Sequence, residues 1–230
     1  MTITTVGLDA DDTLWHTETH FRLTHERFEQ WLAPYSATAG DRLAEVEGRN
    51  LRLYGYGVKG FILSMLETAM ELTAGGDATP LVREILAAGR ELLAFPIEPL
   101  PGVEQALAAL GDRYRLVLIT KGDLLDQERK LAASGLGDLF SAVEIVSEKD
   151  AEVYRRIFAR HGTGAGEAAM VGNSLRSDVL PALQAGAFAA HIPYPLVWTH
   201  ELADPPTGHP RFAELASIAE LPAWLGRVGG

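Results

Sequence analysis

Ile3-Thr4-Thr5-Val6-Gly7-Leu8-Asp9-Ala10-Asp11-Asp12-Thr13-Leu14 decides the reading of the fold. Residues 3–8 form a short β-rich run that ends on acids. Side chains two apart in an extended chain point the same way, so Asp9 and Asp11 face one site. Packing two anions together is costly unless a cation neutralises them. A hard cation with oxygen ligands, Mg²⁺ above all, is the natural guest. The plain alternative is an acidic turn with solvated charges. The preceding strand, Thr13 and the apolar Leu14 weigh against it.

Further along, Leu116–Ile119, Val143–Val146 and Ala168–Val171 are similar apolar runs. They end at Thr120-Lys121-Gly122, Ser147-Glu148-Lys149 and Gly172-Asn173-Ser174, and a helical pattern follows each. Phe188–Ile192 reads as a fifth strand. Strands alternating with helices predict an α/β fold with a doubly wound parallel sheet. Chemistry in such sheets lies beyond the carboxyl ends of the strands, where these polar clusters fall.

Residues 18–95 break the rhythm with helical patterns and no convincing strand. Phe61, Met65, Ala69 and Leu72 repeat at helical spacing and predict one buried face. Gly75-Gly76-Asp77 and Thr79-Pro80 mark a turn between helices. Pro96, Pro99 and Pro101 form a stiff connector, with Pro101 placed to open a helix over Gly102–Leu110. The expected division is a core of residues 1–17 and 96–230 and a helical insert of residues 18–95, joined by two crossings that could act as hinges.

Composition bounds the function. The 230 residues are 47% apolar, enough for a sizeable core, and carry a formal charge of -11. That charge disfavours nucleic acid and anionic lipid as general partners. It leaves open a small anionic substrate, because the local field of a cleft decides that. The absence of cysteine suits a reducing cytoplasm, the expected location. No signal peptide and no uncharged apolar run of ~20 residues is evident.

On these residues the chain resembles the haloacid dehalogenase-like hydrolase superfamily. Asp9-Ala10-Asp11-Asp12-Thr13 fits its DxDxT motif, Thr120 its second, Lys149 its third, and Gly172-Asn173-Ser174 with Asp178 its fourth in outline. The order is right, and the insert matches the family's helical cap type. The resemblance implies a Rossmann-like core and a Mg²⁺-dependent phosphohydrolase acting on a small phosphomonoester. Asp9 would be the nucleophile, forming an aspartyl-phosphate. Asp11 would protonate the leaving oxygen and then deprotonate water. Its backbone carbonyl would join the Asp9 carboxylate at the metal. Thr120 and Lys149 would grip the phosphoryl oxygens. Family dehalogenases usually lack an acid at the position of Asp11, which places 2-haloacid dehalogenase second. A phosphate-binding scaffold without turnover comes third.

The fourth motif commonly carries Asp where this chain has Asn173. Either Asn173 ligates the metal by its amide oxygen, with Asp178 compensating for the lost charge, or it caps the following helix. Lys121 stands where the family often has Asn, and either adds charge near the phosphate or faces solvent. Thr13 is expected to brace the loop, and Gly122 to lie against substrate. Trp15 and His16 are placed at the mouth. His16 and His20, four apart, would share a helix face. Gly55-Tyr56-Gly57-Val58-Lys59-Gly60 matches GxGxxG, but no strand precedes it, so the dinucleotide reading is rejected. Tyr54, Tyr56 and Lys59 are either specificity residues or cap packing, on a glycine-rich loop that opens a helix at Phe61.

Overall fold

The computed structural model describes residues 2–73 and 76–229. In chain order the elements are β1 (Thr5–Leu8), α1 (Glu18–Leu32), α2 (Ala39–Tyr54), α3 (Val58–Thr73), α4 (Thr79–Ala94), α5 (Val103–Gly111), β2 (Arg115–Lys121) and α6 (Leu124–Ser134). There follow β3 (Ala142–Val146), α7 (Ala151–His161), β4 (Ala168–Gly172), α8 (Leu180–Ala185), β5 (Phe188–His191), β6 (Phe212–Glu214) and α9 (Leu221–Val228). The chain divides into two compact units. One comprises Met1–His16, Ile97–Lys121 and Gln127–Gly230; the other comprises Thr17–Pro96 and Gly122–Asp126.

The first unit is built on a six-stranded sheet ordered β3-β2-β1-β4-β5-β6, with every neighbouring pair parallel. β1 lies between β2 and β4, and the strand order runs outward from it in both directions. The crevice of such a sheet opens at the carboxyl ends on either side of that reversal, which is where Asp9 follows β1. Period-two alternation sorts the side chains. Val6, Leu8, Leu116, Leu118, Ala169 and Val171 join one apolar layer with α5 and α9. Val117, Ile119, Ala168 and Met170 join the other with Tyr154 and Phe158 of α7. Covered on both faces, the central strands are apolar between their end residues, as a buried parallel sheet requires. Gly7 sits in the middle: a Cβ there would come within 2.7 Å of Ile119 Cδ1 and 3.0 Å of Met170 Sδ.

The five expected strands all form. β6, a three-residue edge strand, was not anticipated, because so short a run carries no periodicity. Pro101 does not open its helix. It stands in the preceding turn, where left-handed Gly102 (φ 85°) is the cap before Val103.

The second unit has no strand among its described residues, and α1–α4 surround their own core of Phe28, Leu43, Met65 and Ile85. Phe61, Met65 and Ala69 are buried as the spacing implied, and Leu72 is partly buried. Of the expected turn, Gly75 lies outside the described residues. Asp77 and Ala78 precede α4, with Pro80 in its first turn. α3 begins at Val58, not at Phe61, so Gly60 is inside the helix; a Cβ there would lie 2.6 Å from Gly55 O. Helix α2 occupies the residues ahead of Gly55, which excludes the strand that a dinucleotide loop needs. His16 and His20 do not share a helix face, since α1 starts at Glu18. His20 instead stacks on Phe95, with ring centroids 3.6 Å apart.

Candidate active site

The site begins where β1 stops. Asp9 N donates to Val171 O at 2.9 Å, one last rung of the sheet, and the chain then turns sharply. Asp12 adopts φ 61°, a left-handed conformation that aspartate tolerates better than most residues, and its N–H donates to Trp15 O at 2.7 Å. The Asp9 carboxylate is buried. Its Oδ1 accepts from Lys149 Nζ at 2.5 Å and its Oδ2 from Thr13 Oγ1 at 3.1 Å. Lys149 also donates to Asp178 Oδ1 at 2.6 Å. Two carboxylates against one ammonium leave an excess negative charge out of water. Burial, and then the charge of Asp178, push the Asp9 carboxyl up to about 7. Burial works against the Lys149 ammonium as well, but the flanking Asp178 and Asp9 outweigh it and hold that group above the ordinary lysine range.

Lys149 is aimed by its neighbour. Asp150 caps α7, accepting from Val153 N at 2.7 Å, and Lys149 is the residue just outside that cap. Asp178 is aimed from the other side: its Oδ2 accepts from Ser174 N at 3.0 Å. Gly172 leaves room for it, because a Cβ at 172 would fall 2.1 Å from Asp178 Oδ2.

Asn173 is not a helix cap. Ser174 takes that role, accepting from Ser177 N at the start of a π-helical turn that runs into α8. The Asn173 N–H donates to Thr13 Oγ1 at 3.0 Å, and its carbonyl faces His191 Nε2 at 3.0 Å. Its side-chain amide faces Asp11 O and Asp9 Oδ2. With the nitrogen turned inward it donates to them at 3.1 and 3.2 Å. With the oxygen inward it accepts from Thr13 Oγ1 at 3.2 Å and meets two other oxygens, an arrangement that a cation between them makes favourable. Adjacent oxygens around an octahedral Mg²⁺ with bonds of 2.0–2.1 Å lie about 2.9 Å apart, close to this spacing. One carboxylate, one backbone carbonyl and one amide oxygen therefore fit a hard cation that keeps several waters. No cluster of three or more His, Cys, Asp or Glu side chains suited to a metal occurs among the described residues.

Asp11 keeps different company. Its Oδ1 accepts from Trp15 Nε1 and Lys130 Nζ, each at 2.9 Å, and its Oδ2 from Gln127 Nε2 at 2.9 Å. Gln127 Nε2 also lies 2.8 Å from Thr120 Oγ1 and 2.8 Å from Lys121 O. Trp15 is wholly buried, so it supports Asp11 from the core and does not line a mouth. His16 is exposed, its Nδ1 2.6 Å from Tyr194 Oη.

Lys121 does not face solvent. Its ammonium donates to Glu201 Oε1 at 2.6 Å and to Ser177 Oγ at 2.8 Å. Ser174 and Ser177 donate to the other Glu201 oxygen. Burial raises the Glu201 carboxyl, but Lys121 and the two serines outweigh it and hold the carboxyl below its usual range. Gln127, Lys130 and Glu201 were missed in the sequence. A signal existed for the first two. They are three apart on α6, on a face that an ordinary packing helix would make apolar. Glu201 ends a single 3-10 turn (Thr199–Glu201), too short to show a period, and carried none.

Four expected residues belong to the helical unit. Tyr54 Oη donates to Glu67 at 2.6 Å, and Lys59 pairs with Asp123 at 2.9 Å. Tyr56 is half-buried, and Gly122 adopts φ 136°. These partners account for Tyr54 and Lys59 within that unit.

A model of haloacid dehalogenase-like hydrolases matches residues 3–186. A crystal structure of a haloacid dehalogenase-like family hydrolase from Xanthomonas campestris is 40% identical, covers 99% of this chain and 92% of its own, and superposes with a TM-score of 0.90. The N-acylneuraminate-9-phosphatase of Rattus norvegicus is 29% identical over 168 residues, 69% of this chain. The match spans 64% of that relative's length. A 2-haloacid dehalogenase from Pseudomonas syringae, 21% identical with a TM-score of 0.62 over 99% of this chain and 100% of its own, shares the fold.

Proposed function

Because the chain belongs to the haloacid dehalogenase-like hydrolase family, we propose that it hydrolyses a small phosphomonoester through an aspartyl-phosphate on Asp9. One observation carries this reading. A buried carboxylate at the end of the central strand is held by a buried lysine, and a second carboxylate stands two residues on. Asp9 attacks phosphorus as the ester oxygen leaves, and Asp11 gives that oxygen a proton. Asp11 then takes a proton from the water that releases phosphate from Asp9. Lys149 and the Thr120 hydroxyl hold phosphoryl oxygens, where charge gathers in the transition state. Asp178 keeps Lys149 in place and is assigned to that task instead of to the metal. Asp9, the Asp11 carbonyl and Asn173 would hold Mg²⁺, which supplies neutralising charge between two anions. The helical unit serves as a substrate-selecting cap. The phosphatase name of the Rattus norvegicus relative supports a small-molecule substrate.

The test is turnover of p-nitrophenyl phosphate with and without Mg²⁺, beside Asp9→Asn. Metal-dependent turnover that falls at least about a thousandfold in the variant is expected for loss of a nucleophile. Equal rates in wild type and variant would end the reading. Halide release from a 2-haloacid in the absence of metal would put dehalogenation in its place.

A further inference from the structure

Helix α6 buries four polar side chains, Asp126, Gln127, Lys130 and Ser134, and two of them, Gln127 and Lys130, reach Asp11. Lys130 is 7% exposed and Gln127 is 3% exposed. A buried ammonium carries a desolvation cost that an apolar side chain at the same helix position would avoid. Gln127 adds a second such cost. Its Oε1 is buried with no hydrogen-bond partner, while its Nε2 lies within reach of Asp11, Thr120 and Lys121 O. An orphaned buried acceptor costs about 1–3 kcal/mol, so packing alone does not account for the amide. Both side chains converge on one carboxylate. With Lys130 and Trp15 on Oδ1 and Gln127 on Oδ2, both oxygens of Asp11 are tied and the group cannot turn about its last bond.

We propose that Gln127 and Lys130 are positioning residues that clamp the Asp11 carboxylate in the orientation from which it transfers protons. This rests on the phosphatase reading. They touch neither substrate nor phosphorus. In the first half-reaction the Asp9–phosphorus bond forms, the ester bond breaks and the leaving oxygen takes the proton of Asp11. In the second, water attacks phosphorus, gives its proton back to Asp11, and the Asp9–phosphorus bond breaks. Gln127 spans Asp11 and Thr120, so the clamp also fixes the acid relative to the end of β2.

The experiment measures kcat and KM for Lys130→Met and Gln127→Leu, alone and combined with Asp11→Asn, on phenyl, p-nitrophenyl and 2,4-dinitrophenyl phosphate in Mg²⁺. A residue acting through a proton donor matters most where the leaving group is least acidic. Each single variant is expected to lose about tenfold in kcat on phenyl phosphate, part of the 10²–10⁴-fold that such catalysis supplies. The loss shrinks toward the dinitrophenyl ester, and KM is unchanged. In the Asp11→Asn background the added loss on phenyl phosphate is below about twofold, because coupled residues are not additive. Lys130→Arg, which keeps the cation, retains the wild-type leaving-group dependence. Equal losses on all three esters, or full additivity with Asp11→Asn, would overturn the clamp and leave the phosphatase reading standing. If Lys130→Met does not fold by circular dichroism, Lys130→Arg and Gln127→Leu decide the matter by the same comparison. Absence of wild-type turnover on every ester overturns both.

Discussion

Asn173 shows how much one atom can decide. An aspartate at this position would add another carboxylate beside Asp9 and Asp178, with Lys149 the ammonium between them. The amide instead offers either a donor or an acceptor to Asp9 Oδ2 and Asp11 O, depending on which end faces in. The site is therefore satisfied without a cation and compatible with one. Asn173→Asp is expected to reverse that balance. The variant should melt at a lower temperature than wild type in EDTA and gain more from added Mg²⁺, with affinity about tenfold tighter, or ~1.4 kcal/mol. Thermal shift and titration calorimetry read both quantities. Unchanged Mg²⁺ affinity would place Asn173 away from the metal.

At the scale of elements, the site is a meeting of strand ends and helix starts. β1 presents Asp9, β2 presents Thr120, the start of α7 fixes Lys149, and the turn after β4 presents Asn173. The aim of each depends on local caps. Asp150→Ala removes the side-chain acceptor at the start of α7 and should cost about 1 kcal/mol of stability. It should also loosen Lys149 and lower kcat, whereas Glu152→Ala, exposed within the first turn of the same helix, should do neither. Chemical denaturation and steady-state kinetics separate the two variants. A wild-type midpoint in Asp150→Ala would show that the cap is dispensable.

At the scale of the whole molecule, net charge and buried acids set the response to pH. Burial, and then the charge of Glu18, raise the Glu47 carboxyl on α2 from 4.5 to about 8. The folded chain then keeps a proton that the unfolded chain releases above about 4.5. Stability from this group is full below that pH and drains away as pH rises toward 8. Asp9 adds a like contribution in the absence of metal, ending near 7. Melting temperature in EDTA should therefore fall between pH 5 and 8. Glu47→Gln, neutral throughout, should flatten that fall and melt higher than wild type at pH 8. A variant that tracks wild type across the range would show Glu47 ionised in the folded protein.

Much of this molecule was legible in order and spacing. Apolar runs ending on polar residues placed β1 to β5, most clearly for β1, β2 and β4, which are covered on both faces and therefore apolar along their middles. Asp9 was legible from its place after β1 and its spacing to Asp11, whereas Thr120, Lys149 and Asn173 stood out only through the motif order that the chain shares with the family it resembles. β6 was not, since three residues hold no period. Nor were Gln127, Lys130 and Glu201, whose partners lie tens of residues away and are chosen by how α6 and the loop carrying Glu201 pack. Sequence determined which polar residues stand at the strand ends; tertiary packing alone decided that Asp178 serves Lys149, that Trp15, Gln127 and Lys130 serve Asp11, and that Lys121 is tied to Glu201. The physical reason is that a strand's direction is set by its own residues, whereas a hydrogen-bond partner across the fold is set by every element packed between.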